Sequence, residues 1–141
     1  MTRLSHVEIE AAANDDSRIA MADLLQDNAF TLPDLEGPYR LRLAMVDRRI
    51  AFGVTAPAAA REFHLSLGPF RQILKDYTQI CNALAEAQGQ MPPHRIEAID
   101  MARRGIHNEG ARLLQERLDG KAAVDLDTAR RLFTLVCAMQ R

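Results

Sequence analysis

The stretch from Arg95 to Leu118, RIEAIDMARRGIHNEGARLLQERL, does most to constrain how this chain can fold. Wound at about 100° per residue, it gathers Ile96, Ile99, Ala102, Ile106, Gly110, Leu113 and Leu114 on one stripe. Asp100, Arg104, Asn108, Ala111, Arg112 and Gln115 fall on the other side. The pattern is that of an amphipathic helix, the longest in the chain, with Pro92-Pro93 ahead of it as a start signal. Gly105 and Gly110 lie inside it, each costing up to about 1 kcal/mol relative to alanine. Such glycines admit a close neighbour, mark a kink, or split the helix near Asn108.

Arg103 falls about 40° from the centre of the apolar stripe. A guanidinium there either snorkels its stem to the rim or finds a partner, because an uncompensated buried charge is very costly. Asp100 stands three residues before Arg103 and four before Arg104, spacings at which helical side chains meet; His107 stands four after Arg103. Asp100, Arg103, Arg104 and His107 therefore form one polar seam. It reads first as an ion-pair seam fixing the helix against its neighbours. It reads second as a small-anion site, with the arginines as charged forks, His107 as a titratable neighbour and Asn108 beside them. A contact with a partner protein is the third reading.

The rest of the chain supplies the setting. A length of 141 residues is most naturally a single domain, residues 1–141. The formal net charge of −1 argues against bulk attraction to nucleic acid or anionic membranes. No apolar segment follows a basic start, so no signal peptide is expected, and the cytosol is the default compartment. Residues Leu4–Ala11 alternate weakly and suggest a short strand; Asn14-Asp15-Asp16-Ser17 offers N-caps for a short helix ending near Asn28. From Tyr39 the period becomes two. Tyr39, Leu41, Leu43 and Met45 face one way, and Ile50, Phe52 and Val54 follow a turn at Asp47-Arg48. Glu62–Leu67 makes a further strand with Phe63, Leu65 and Leu67 inward. Gly68-Pro69 opens a helix whose face of Phe70, Ile73, Leu74, Tyr77, Ile80, Cys81 and Leu84 is expected to pack on the sheet. After Gly120, Asp125 or Asp127 caps a last helix. Its apolar sector, Leu132–Met139, is wide enough to be either deeply buried or part of a subunit contact. The expected fold is α+β: a small antiparallel sheet of three to four strands with about four helices, mainly on one face.

Other chemistry is sparse. Cys81 and Cys137 lie on apolar helical faces and read as inert buried thiols. His6, His64, His94 and His107 are scattered, with no histidine pair at helical spacing and no cysteine pair nearby, so neither a metal site nor a cofactor is expected. No GxGxxG or GxxxxGK loop joins a strand to a helix. Arg40, Arg42, Arg48 and Arg49 make the hairpin locally basic, a thin case for RNA when Tyr39 is the one ring close by.

The segments PYRLRLAMVDRRI (38–50), LSLGPFRQILKDY (65–77), IEAIDMARRGIHNEG (96–110) and DLDTARRLFTLV (125–136) resemble uncharacterised protein family 0262. The resemblance runs in order over nearly the whole chain. It implies a small, single-domain bacterial protein, presents no established catalytic or binding residue to carry over, and leaves function open. Gly68 and Ala102 stand where the family pattern carries a hydroxyl residue and a glycine, which removes a hydroxyl cap from the start of the helix after Gly68. Three functional readings stand at this point, and their balance leans away from an enzyme. One is a non-catalytic interaction or regulatory domain, homo-oligomeric through Leu132–Met139. The second is a binder of a phosphate or carboxylate metabolite through the Asp100, Arg103, Arg104 and His107 seam. The third is an RNA-associated protein using the arginine hairpin.

Overall fold

The computed structural model describes residues 3–140. Strand β1 (Leu4–Ile9) leads into helix α1 (Asp15–Gln26), which is opened by a reciprocal cap. The Asn14 side chain accepts the Ser17 N–H at 2.7 Å, and the Ser17 hydroxyl accepts the Asn14 N–H at 2.9 Å. At the other end Asn28 fastens helix to strand. Its Oδ1 accepts the Leu4 N–H at 2.7 Å, while its amide donates to the carbonyls of Leu4 at 3.0 Å and Leu24 at 2.6 Å.

Strands β2 (Phe30–Thr31) and β6 (Ala123–Val124) form a small antiparallel pair. Two residues are too few for any alternation to register, so neither strand is visible in the sequence pattern. Strands β3 (Tyr39–Val46), β4 (Arg49–Thr55) and β5 (Ala60–Ser66) make the expected antiparallel meander. Asp47 and Arg48, at φ 48° and 62°, both adopt the left-handed conformation that a two-residue hairpin turn of the primed type requires. The resulting register sets Leu43 opposite Phe52 and Phe52 opposite Phe63, whose rings stack at 4.9 Å.

The N-terminal segment does extend the meander to four strands, in the order β1-β3-β4-β5, but it runs parallel to β3. The α+β class stands, with a mixed sheet in place of a wholly antiparallel one. Parallel neighbours need a crossover, and α1 with its flanking loops supplies it; side-chain alternation carries no information about strand direction. The inner face of Leu41, Leu43, Ile50, Phe52, Val54 and Leu65 packs with Leu24 and the last helix, α4 (Leu126–Ala138). The outer face, with Arg40, Arg42, Thr55 and Glu62, is exposed.

Helix α4 is capped by Asp125, which accepts the Thr128 N–H at 2.8 Å. Leu132, Phe133, Leu135, Val136, Ala138 and Met139 are all buried within the chain. Of the two expectations for the Leu132–Met139 sector, deep burial is the one observed, and those side chains are used within the chain. Among the described residues, the large apolar side chains left exposed are Ile19, Leu25, Val46, Met91 and Met101.

Helices α2 (Arg71–Ala87) and α3 (Pro93–Leu118) pack on each other, α3 continuing onto α4. Leu74, with Ile73 and Tyr77 beside it, joins the core cluster that the inner sheet face also enters. Only Leu74 and Ala87 of α2 are fully buried, because its main neighbour is another helix at the edge of the core. A 3-10 turn at Gly68–Phe70 leads into it with no side-chain cap. Helix α3 is continuous through both glycines, and its stripe is used unevenly. Its C-terminal half enters the core through Gly110, Ala111, Leu114 and Leu118, whereas Ala102 is exposed and Ile96 and Ile99 are half-buried. Ala111, which the projection placed on the polar side, is buried, in the half of α3 that enters the core, and α3 contacts both α4 and β6.

Candidate functional site

Where α1, α2, α3 and α4 converge they leave a cleft of about 470 Å³. Helix α3 contributes Arg103, Arg104, His107 and Asn108; α4 contributes Arg130, Arg131 and Thr134. Tyr77 comes from α2, and Asp16, Ile19, Ala20 and Asp23 come from α1. The polar seam expected from helical spacing thus opens onto a concave surface.

Each guanidinium is held in place. Asp100 sits behind the α3 arginines. One of its oxygens accepts from Arg103 at 2.9 Å, the other from Arg104 at 2.7 Å. The hydrogen bond from Arg103, reinforced by Arg104, keeps the Asp100 carboxyl below the usual carboxylate range. Arg103 is 28% exposed along its side chain and also donates toward the Tyr77 hydroxyl at 3.5 Å. It is therefore both paired and at the rim. Arg104, at 68%, stands at the mouth. On α4, Arg130 donates to the Asn108 side chain at 2.8 Å and to Asp127 at 2.7 Å. Arg131 donates to the Asp27 backbone carbonyl at 2.9 Å.

The floor is aromatic. Tyr77, His107 and Phe133 pack with ring centroids 5.3 to 6.0 Å apart. Phe133 can sit there because Gly110 has no side chain: a Cβ on Gly110 would fall 2.2 Å from its ring. Burial pushes the Tyr77 phenol up to about 12 against the pull of Arg103, so it stays protonated. Burial, then the charges of Arg103 and Arg130, draw His107 down to about 4, so the imidazole is neutral at pH 7. His107 Nε2 lies 2.9 Å from the Thr134 hydroxyl, whose own proton goes to the Arg130 carbonyl at 3.2 Å. The network is satisfied when Nε2–H donates to Thr134. That arrangement leaves no lone pair on Nε2 to take a proton from the hydroxyl. A hydroxyl and an imidazole at this distance resemble a nucleophile and base, but proton direction and weak basicity both work against that role.

Of the residues singled out from sequence, Arg103, Arg104, His107 and Asn108 come together, with Asp100 as their brace. Arg130, Arg131, Thr134, Tyr77, Asp16 and Asp23 join them without having stood out in the sequence. One signal did exist: the triplet Ala-Arg-Arg occurs at 102–104 and again at 129–131, the second time just ahead of the apolar Leu132-Phe133 pair. The hairpin arginines belong elsewhere. Arg40 and Arg42 line a separate concavity of about 460 Å³ on the outer sheet face together with His6, Glu8, Arg61 and Glu62, and Arg42 meets Glu10 at 3.4 Å. Arg48 lies in the hairpin turn and Arg49 opens β4. Tyr39, the ring closest to them in sequence, is 1% exposed, its hydroxyl accepting from Leu32 and donating to Leu35. It offers no stacking platform.

Comparison with known proteins places the chain. The model of the uncharacterised protein family UPF0262 matches residues 2–141. The chain belongs to that family. It is 54% identical to a UPF0262 protein of Paracoccus denitrificans, over 97% of this chain and 94% of the relative. A member from Dinoroseobacter shibae is 60% identical over 86% and 82% of the two chains, and one from Roseobacter denitrificans 52% over 99% and 98%. These UPF0262 relatives are bacterial, and the family has no assigned function. No solved structure matches the chain. Among the described residues, no helix is long and apolar enough to cross a membrane.

Proposed function

We propose that this UPF0262 protein is a non-catalytic, cytosolic domain that binds a small metabolite through a phosphate or carboxylate group in the cleft between α1, α3 and α4. The observation that carries the reading is the set of four arginines, from two helices, lining one concavity of about 470 Å³. That volume lies in the range of small-molecule sites, about 300–1,000 Å³. Arg103, Arg130 and Arg131 are already fixed by Asp100, Asn108, Asp127 and the Asp27 carbonyl, so a bound anion has less side-chain freedom to remove. The neutral His107 and protonated Tyr77 add polar contacts without offering a strong base, which favours binding over catalysis.

The test is thermal denaturation and calorimetric titration with inorganic phosphate and a panel of small phosphorylated and carboxylated metabolites. Stabilisation by at least one of them is expected in the native protein, and its loss is expected in Arg131→Gln. That variant removes a half-exposed guanidinium that donates to a backbone carbonyl, so folding should survive. If no anion on the panel stabilises the protein, or if Arg131→Gln responds equally, the proposal is wrong.

A further inference from the structure

We infer that the ligand is a zwitterion: its anionic group meets the arginines of α3 and α4, and an ammonium group meets Asp16 and Asp23 of α1. The inference rests on the anion-binding reading above and narrows it. Charge in the cleft is sorted by helix. Every guanidinium comes from α3 or α4, and both lining carboxylates come from α1.

Asp16 and Asp23 are seven residues apart, with Ile19 and Ala20 between them, a spacing that lays all four on one face of α1. Among the described residues no ion pair crosses the cleft: Arg103 and Arg104 pair with Asp100, Arg130 pairs with Asp127, and Arg131 donates to the Asp27 backbone carbonyl. Opposite charges therefore face each other across a space of small-molecule size without closing it. Counting Asp100 and Asp127, four positive charges stand against four negative ones. The arginine wall can hold an anionic group by itself, and the carboxylates opposite it favour a ligand that also carries a positive charge at its other end.

Two features of α1 reinforce the point. Asp23 lies in the last turn of the helix, where the backbone dipole disfavours a carboxylate and where there is no basic side chain to offset it. Helix energetics thus give no account of Asp23, whereas an ammonium ligand does. Between the two carboxylates, Ile19 is 60% exposed into the cleft, an apolar surface suited to a short hydrocarbon spacer joining the charged ends.

The experiment is calorimetric titration with two matched pairs that differ only in the ammonium group: O-phosphoethanolamine against its N-acetyl derivative, and γ-aminobutyrate against its N-acetyl derivative. At least one ammonium compound should bind about tenfold or more tightly than its acetylated partner. In the double variant Asp16→Asn, Asp23→Asn that preference should vanish while the acetylated compound binds no more weakly than before. Equal affinity within each pair overturns the inference and leaves the anion site standing, as does a preference that survives in the double variant. Failure of all four compounds also overturns it. In that case the response to inorganic phosphate and its dependence on Arg131 decide separately whether the anion reading survives.

Discussion

His107 makes folding sensitive to acid in a window where an ordinary histidine would not. Its folded pKa is drawn from 6.5 to about 4, because burial and the charges of Arg103 and Arg130 all oppose a second proton. Tyr77, Phe133 and Thr134 surround the ring, and the nearest acidic groups in the cleft, Asp16 and Asp23, lie on the opposite wall. The folded pKa is depressed, so the unfolded chain takes up the proton first as pH falls below about 6.5. Stability from this source is complete above that pH and is lost progressively toward pH 4. A tenfold difference in proton affinity between the folded and unfolded chain is worth about 1.36 kcal/mol, so the linkage gives a loss of about 2 kcal/mol between about pH 7.5 and about pH 5. The cleft is open to solvent on one side, which reduces this to about 1–2 kcal/mol. The assay is urea denaturation at the two pH values, in the native protein and in His107→Gln. The glutamine variant lowers stability at both pH values by loss of packing, yet the drop between them should shrink by about 1–2 kcal/mol. Parallel losses in the two proteins would refute the argument, since the acid sensitivity would then come from other groups.

Two further predictions concern α3. Gly105→Ala meets no atom within 4 Å and removes a helix-disfavouring residue, so it should stabilise by up to about 1 kcal/mol; Gly110→Ala drives a methyl into the Phe133 ring and should destabilise by about 1–3 kcal/mol, both read from denaturation midpoints. If Gly110→Ala were neutral, the close approach of α3 and α4 would be wrong. Arg103→Ala should cost about 1–2 kcal/mol, between the values for exposed and buried ion pairs, whereas Arg104→Ala at the mouth should cost under about 0.5 kcal/mol in the same assay.

What can be read from the chain alone divides along physical lines. The hairpin is legible because Tyr39–Thr55 alternates cleanly and its inner face is buried. Helix α3 is legible because its period is long, and so is the Asp100, Arg103 and Arg104 pairing, which depends only on spacing within one helix. Contacts between elements are not. Nothing in the residues of α4 tells that Arg130 reaches Asn108, or that Asp16 and Asp23 face arginines more than 75 positions away. The parallel direction of β1 escapes for the same reason, being set by how layers stack.

The cleft is in this sense a consequence of core packing. Gly110 lets Phe133 approach α3; Phe133 in turn supports the rings of His107 and Tyr77; and Tyr77 meets the guanidinium of Arg103. Each step is a contact between different helices, and each limits where the next side chain can go. The arginines are consequently positioned by the same helix pair whose C-terminal halves bury Leu114, Leu132 and Phe133. A change deep in that pair, such as Gly110→Ala, should then weaken anion binding as well as folding, although Gly110 does not line the cleft. A change at the mouth, such as Arg104→Ala, should touch binding and spare the fold.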